Sequence, residues 1–324
     1  MTRGISINIG INKLSDNYKD AGYDELSYCE QDAKSMKKIA VANGFEVEDV
    51  EKFNLIGEPT AENVIDAITF AAEDSNKKLV EGDLLLVTFA GHGSEITNRI
   101  NGDAVNQTWC LHDRQLIDKE LARLWSKFGK GVNILFISDS CHSATIATFF
   151  SSFTRITAFL ARMVGFKKNI SRNVIGGDQE FEKHYWETYK DIINDLNTVS
   201  NYTTLIENKS VIVISMSACQ DNEEALERNG HGIFTGELKN LWYGTYNPSE
   251  NQQESFACKE EVSEYCYKQF FDELRLKTYN ENQDQTPNLL TVPKNINDED
   301  WDSFLQKPEN KNLMAFMKKK PFKI

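Results

Sequence analysis

The strongest constraint on the fold is a pair of apolar runs, each of which ends in a chemically reactive side chain. The first run covers residues 83–90 and leads to His92, and the second covers residues 132–137 and leads to Cys141. Apolar runs without polar alternation are typical of strands that are buried on both faces of a parallel sheet. Ligands of open parallel sheets bind beyond the carboxyl ends of the strands. The sequence therefore predicts an imidazole and a thiol at one edge of a sheet.

The glycines around the histidine favour a functional role. Gly91 and Gly93 flank His92, and glycine permits turn conformations and a close approach of substrate that other residues prevent. The alternative interpretation is a buried structural thiol at Cys141, since free cysteines are often buried. A core histidine, however, would not need two glycine neighbours. The pattern therefore favours nucleophilic catalysis by a Cys/His pair.

These two segments carry a resemblance to a known family. Phe-Ala-Gly-His-Gly at 89–93 and Asp-Ser-Cys-His-Ser at 139–143 resemble the two catalytic motifs of caspase-like peptidases, in particular the metacaspase and bacterial caspase-like branch. The resemblance continues at residues 29–33 and 217–222. It implies an α/β fold with a largely parallel six-stranded sheet and helices on both faces. It also implies cysteine endopeptidase activity.

The resemblance and the residue chemistry agree on the roles of the pair. We expect Cys141 to be the nucleophile and His92 to be the general base and acid. By analogy with the family, the backbone N–H groups of Gly93 and Cys141 would form the oxyanion hole. No Asp or Asn that could orient the histidine is obvious, so the sequence predicts a catalytic dyad.

Two aspartates are candidates for substrate binding. In the metacaspase branch, the residues that match Asp32 and Asp139 hold the basic residue before the scissile bond, which implies a protein or peptide substrate with Arg or Lys there. The alternative for Asp32 is a solvated charge on a helix. Ala90 stands where the family pattern has a serine, which removes one hydroxyl contact from the pocket.

The segments 109–113 and 116–121 resemble the metacaspase region around calcium ligands. A calcium site needs several hard oxygen ligands, and Lys119 replaces the acidic neighbour expected beside Asp118. Cys110, His112, Cys141 and His142 lack a standard zinc spacing. The sequence therefore predicts no cofactor and does not favour calcium dependence.

Composition limits the partners. The net charge of −13 over 324 residues disfavours binding to nucleic acid or to an anionic membrane. No window reaches the ~18 apolar residues of a membrane span, and the six cysteines show no paired spacing, which fits a reducing compartment. We expect a cytoplasmic protein, and a regulatory protein partner is left open.

The chain order predicts a single caspase-like domain in three parts. Residues 1–145 would form the part with the dyad, 146–208 an inserted connector, and 209–324 the part that resembles a small subunit. Basic residues between Arg155 and Lys183 would make the connector a site of self-cleavage, against the alternative of a structured insertion that is never cut.

The segment-by-segment expectations are a strand at 50–56, an irregular segment at 93–112, a polar helix at 178–196, a helix at 259–276, an edge strand at 285–292, and a C-terminal tail that packs onto the body.

Two other function classes remain open at this stage. One is a catalytically silent caspase-like adaptor, and the other is a hydrolase or acyltransferase of a different class that uses a Cys/His pair. Bacterial relatives in the resembled family are linked to stress, death or defence pathways, which is analogy at the level of the fold.

Overall fold

A computed structural model describes residues 2–18, 23–74, 76–98, 104–140, 189–192, 206, 208–219, 223–244, 256, 258–292 and 311–324. The strands are β1 Gly4–Gly10, β2 Asn54–Ile56, β3 Leu84–Ala90, β4 Gly93–Asn98, β5 Ala104–Cys110, β6 Gln115–Ile117, β7 Asn133–Asp139, β8 Ile212–Ser217, β9 Glu227–Arg228, β10 His231–Gly232 and β11 Asn288–Val292. The α-helices are α1 Cys29–Ala42, α2 Val47–Lys52, α3 Ala61–Glu73, α4 Asp118–Trp125, α5 Ile233–Trp242, α6 Tyr267–Glu281 and α7 Lys311–Met317.

A central sheet of six strands organises the described part of the chain. Its order is β11-β8-β7-β3-β1-β2. The five neighbouring strands β8, β7, β3, β1 and β2 pair in parallel. Strand β11 pairs antiparallel with β8 at one edge. The predicted fold class is confirmed, and so is the edge position of the last strand.

Helices cover both faces of this sheet because its strands alternate apolar side chains between two cores. On one face, Ile5, Val87 and Ile134 belong to a core that also contains residues of α3 and α4. On the other face, Leu86 and Leu135 belong to a core with residues of α1, α5 and α6. β1, β3, β7 and β8 are thus buried on both faces, whereas β2 at the sheet edge is half-buried. The apolar runs of β3, β7 and β8 are typical of strands that are covered on both sides.

Local signals explain where several elements begin. Thr60 caps the first turn of α3: its hydroxyl accepts a hydrogen bond from the Asn63 N–H, and the Asn63 side-chain oxygen accepts one from the Thr60 N–H. This reciprocal pair satisfies two backbone donors that a helix start leaves open. Thr60 is therefore the N-cap of α3.

Three predicted segments are wrong. The described residues of the segment 93–112 are not irregular, because β4 and β5 lie within it and form a three-stranded antiparallel sheet with β6. The expected strand at 50–56 is helix α2 followed by the shorter β2. The helix predicted at 259–276 starts late: a 3₁₀ turn occupies Glu260–Val262, and α6 begins at Tyr267.

The C-terminal tail packs onto the body, as predicted. Phe316 and Phe322 are buried in the same core as α6, and the Tyr267 hydroxyl accepts a hydrogen bond from the Phe322 N–H at 3.1 Å. Burial raises the pKa of Tyr267 above its usual range. No helix within the described ranges is both long and apolar enough to cross a membrane.

Candidate active site

The ends of β3 and β7 lie side by side. The two strands pair in parallel with Ala90 opposite Asp139, so the residues that follow them leave the sheet at the same edge. His92 lies two residues beyond the end of β3. Cys141 also lies two residues beyond the end of its strand in sequence, but it falls outside the described residues, as does His142.

The His92 ring is fully buried and is oriented by a backbone carbonyl. Its Nε2 atom lies 2.7 Å from the main-chain oxygen of Asp24. A carbonyl oxygen only accepts hydrogen bonds, so Nε2 carries a proton, and in the neutral imidazole the lone pair is on Nδ1. The nitrogen suited to act as a general base is therefore Nδ1. Sequence analysis did not identify Asp24, because every residue has a main-chain oxygen and its role cannot be inferred from the residue type.

The segment that contributes this carbonyl also packs against the imidazole. The Tyr23 ring meets the His92 ring edge-on, with centroids 5.4 Å apart, and the Tyr23 hydroxyl donates to the Leu14 carbonyl at 3.0 Å. Burial, followed by the charges of Glu25 and Asp16, raises the pKa of Tyr23. The phenol therefore stays neutral and keeps donating its proton at physiological pH.

Gly93 begins β4 in a geometry that suits its predicted role. The Cys110 N–H donates to the His92 carbonyl at 2.9 Å, and Gly93 lies opposite Trp109. Hydrogen-bonded and non-hydrogen-bonded pairs alternate along an antiparallel ladder, so the N–H of Gly93 points away from β5.

An aromatic stack supports the ends of β3 and β7. The Trp109 ring stacks on Phe89 and on Phe136, with centroid distances of 4.4 and 4.9 Å, and its indole N–H donates to the Ser138 hydroxyl at 3.1 Å. The Ser138 and Ser140 hydroxyls lie 3.0 Å apart. These contacts hold the backbone immediately before Cys141 against the sheet.

The structure brings Asp32 and Asp139 to the same helix terminus. Asp32 Oδ2 accepts from the Gly232 N–H at 3.0 Å, and Asp139 Oδ2 accepts from the Thr235 N–H at 2.9 Å. Both carboxylates are 1% exposed. Gly232 has no side chain with which to cap α5, and a helix N-terminus favours negative charge. Asp32 is therefore not the solvated helix charge that was the alternative interpretation.

A hairpin missed in the sequence supplies further contacts to the first turn of α1. Glu227 of β9 accepts from the N–H groups of Ser27 and Tyr28 at 2.9 and 3.0 Å. His231 of β10 approaches Asp32, with Nδ1 2.8 Å from Oδ1. The signal was present at residues 229–230, an Asn-Gly pair with positive φ angles of 54° and 92°, which is a strong two-residue hairpin signal.

Cys29 and Ala90 lie beside these carboxylates. They form a small buried cluster with Leu26, and the Cys29 thiol lies 3.4 Å from Glu227 Oε1. Ala90 contributes a methyl group at this position, where the family pattern that the sequence resembles has the hydroxyl group of a serine.

A comparison with protein families decides the membership of the chain. The family model described as "Caspase domain" matches residues 3–293. The chain belongs to the caspase-domain family. This membership supports a cysteine peptidase.

Individual relatives agree with this family. The caspase domain is 25% identical over 259 residues to Metacaspase-1 of Schizosaccharomyces pombe, covering 71% of the chain and 56% of that protein. The chain thus spans little more than half the length of this relative. A crystal structure of a protein from Geobacter sulfurreducens is similar, with a TM-score of 0.64, 25% identity and 99% coverage of each chain.

The region that resembles a calcium site is occupied by contacts within the caspase domain itself. The Asp118 carboxylate accepts from the N–H groups of Lys119 at 2.7 Å and Gln107 at 3.4 Å, and Arg114 makes a two-pronged ion pair with Glu120 at 2.8 and 2.9 Å. Within the described ranges, no three His, Cys, Asp or Glu side chains are grouped as metal ligands.

The described part of the connector, residues 189–192, contacts the region that resembles the calcium site. Of the predicted helix at 178–196, only residues 189–192 lie in the described part, and they are helical. The Tyr189 hydroxyl, which is buried, accepts from the Gln115 N–H at 2.6 Å. Burial raises the pKa of Tyr189 well above its usual range. The predicted cleavage region at 155–183 lies outside the described residues.

Proposed function

We propose that this caspase domain is a cysteine endopeptidase that cleaves protein substrates after Arg or Lys, with Cys141 as nucleophile and His92 as general base and acid. The observation that carries the proposal is the parallel register of β3 and β7, which sets Ala90 opposite Asp139. Both candidate catalytic residues follow these positions by two residues.

Each step of peptide cleavage then has a group to carry it. His92 Nδ1 takes the proton of the Cys141 thiol, and the thiolate attacks the scissile carbonyl carbon. The N–H groups of Gly93 and Cys141 stabilise the oxyanion. When the C–N bond breaks, the protonated imidazole gives its proton to the leaving amine, and a thioester remains on the cysteine.

Hydrolysis of the thioester reverses these roles. His92 Nδ1 takes a proton from water, the hydroxide attacks the thioester carbonyl, and the thiolate leaves and recovers the proton. The Asp24 carbonyl holds the Nε2 proton throughout both halves of the cycle, since it can only accept it. Asp24 contributes a main-chain atom here, so its side chain has no part in the reaction.

The basic specificity rests on the two buried carboxylates. Asp32 and Asp139 both bind N–H groups at the start of α5, so their charges lie close together beside the edge proposed for catalysis. Two carboxylates in one pocket favour a guanidinium or an ammonium group over a neutral or acidic side chain. Family analogy extends the proposal to a regulated protease of a stress, death or defence response.

The decisive experiment compares three peptides that differ only in Arg, Lys or Asp before the cut. Cleavage after Arg and Lys that is lost in Cys141→Ala supports the proposal. Cleavage after Asp alone would remove the pocket assignment. Ester or amide hydrolysis without peptide cleavage would indicate another Cys/His hydrolase, and binding without any turnover would indicate an adaptor.

A further inference from the structure

A cationic side chain lies behind the carboxylate proposed to bind the substrate. His231 connects the two groups: its Nδ1 atom lies 2.8 Å from Asp32 Oδ1, and its Nε2 atom contacts the Nζ atom of Lys239. Asp32 belongs to the first turn of α1, His231 to β10 and Lys239 to α5. The side chain of His231 is 14% exposed and that of Asp32 is 1% exposed, so this contact is largely removed from solvent.

The hydrogen-bond chemistry fixes the state of the imidazole. The ammonium group of Lys239 only donates hydrogen bonds, so His231 Nε2 must accept. The ring proton then resides on Nδ1, where it is donated to the Asp32 carboxylate. A neutral imidazole therefore connects a positive charge to a negative one without adding charge of its own.

We infer that Lys239 is the internal counter-charge of Asp32 and thereby determines how strongly the pocket selects a basic side chain over a neutral one. The inference rests on the proposed function, because it concerns the pocket formed by Asp32 and Asp139. The two aspartates bring two negative charges, and Lys239 offsets one of them. The pocket consequently selects a cation less strongly than two uncompensated carboxylates would.

This role differs from a purely structural one in the sign of its effect. Losing a structural contact disturbs the pocket and lowers selectivity, whereas losing a counter-charge makes the pocket more negative and raises it. The charge of Lys239, which lies next to His231, changes the preference of the pocket for a cationic over a neutral side chain on the order of tenfold, given the effective dielectric constant near a protein surface.

The test uses two peptides that are identical except for Arg or citrulline before the cut, since citrulline keeps the shape of arginine and lacks its charge. The measured quantity is the ratio of kcat/KM for the two peptides. Lys239→Met should raise this ratio about tenfold. Lys239→Arg keeps the charge and should leave the ratio within about twofold of the wild type.

Lys268→Met is the matched control for net charge, since Lys268 pairs with Asp272 on the surface of α6, and it should leave the ratio unchanged. An unchanged or lowered ratio in Lys239→Met overturns the inference while the proposed function stands. Failure of the wild type to cleave either peptide overturns the proposed function and the inference with it.

A second measurement does not depend on cleavage. In protein with ¹⁵N-labelled histidine, the ring nitrogen shifts of His231, assigned with His231→Gln, should show the proton on Nδ1. A proton on Nε2 would break the contact with Lys239 and overturn the inference, whatever the activity of the enzyme.

Discussion

His92 Nε2 and the main-chain oxygen of Asp24 are 2.7 Å apart, so a peptide group and not a carboxylate orients the imidazole. The Asp24 side chain is exposed and is not needed for this bond. We therefore expect Asp24→Ala to keep kcat/KM within about threefold of the wild type. His92→Ala should lower it by about a thousandfold or more, as losses of catalytic groups do.

The control for the second variant is His112→Ala, a partly exposed histidine 3.9 Å from Glu58, which should cleave at the wild-type rate. A collapse of activity in Asp24→Ala with retained folding by circular dichroism would show that the side chain, and not the backbone, orients His92.

Asp32→Asn and Asp139→Asn remove one charge each without changing shape. Each should lower the Arg-over-citrulline ratio of kcat/KM by about tenfold or more, because a charge-assisted hydrogen bond becomes a neutral one. Asp272→Asn, on the surface of α6, is the matched control. Equal ratios in all three variants would contradict a pocket lined by Asp32 and Asp139.

Tyr189→Phe tests how firmly the connector is held. The substitution leaves the buried N–H of Gln115 without its acceptor, which costs about 1–3 kcal/mol of the free energy of unfolding. Equilibrium urea denaturation measures the loss. Tyr279→Phe, at a site 43% exposed on α6, should be neutral, and equal stabilities of the two variants would contradict the anchoring role of Tyr189.

Self-cleavage between Arg155 and Lys183 predicts two fragments that stay together. Strands β7 and β8 lie on opposite sides of the connector and pair over six positions from Asn133 to Ser138, so a cut between them leaves the sheet bonds in place. Denaturing mass analysis should show two species where native size exclusion shows one. Cys141→Ala should remain intact, and a single full-length species in active protein would contradict the prediction.

Sequence patterns predicted the central sheet because β3, β7 and β8 contain apolar runs that are typical of strands covered on both faces. They missed β4 and β5, because residues 93–98 and 104–110 mix polar and apolar side chains without a long apolar run. They also missed α2, since fewer than two turns give a weak periodic signal.

At the site, residue chemistry led to His92, because a reactive side chain at a strand end is visible in a sequence, and the family resemblance led to Asp139. The partners of those residues were not visible. The carbonyl of Asp24 is chemically like any other, and His231 meets Asp32 only because the fold joins positions 199 residues apart. Long-range pairing of this kind has no local signature.

The hairpin that turns at Asn229 and Gly230 positions two side chains that contact the start of α1. Glu227 and His231 belong to its two strands, where Arg228 pairs with His231 and Glu227 with Gly232. Because side chains alternate along a strand, inserting one residue in that turn would shift the register and turn neighbouring side chains to opposite faces. A point substitution at Glu227 or His231 therefore alters one of the two contacts and leaves the other. A change in the length of the turn would remove both contacts together. The length of the turn is thus constrained separately from the identity of its residues.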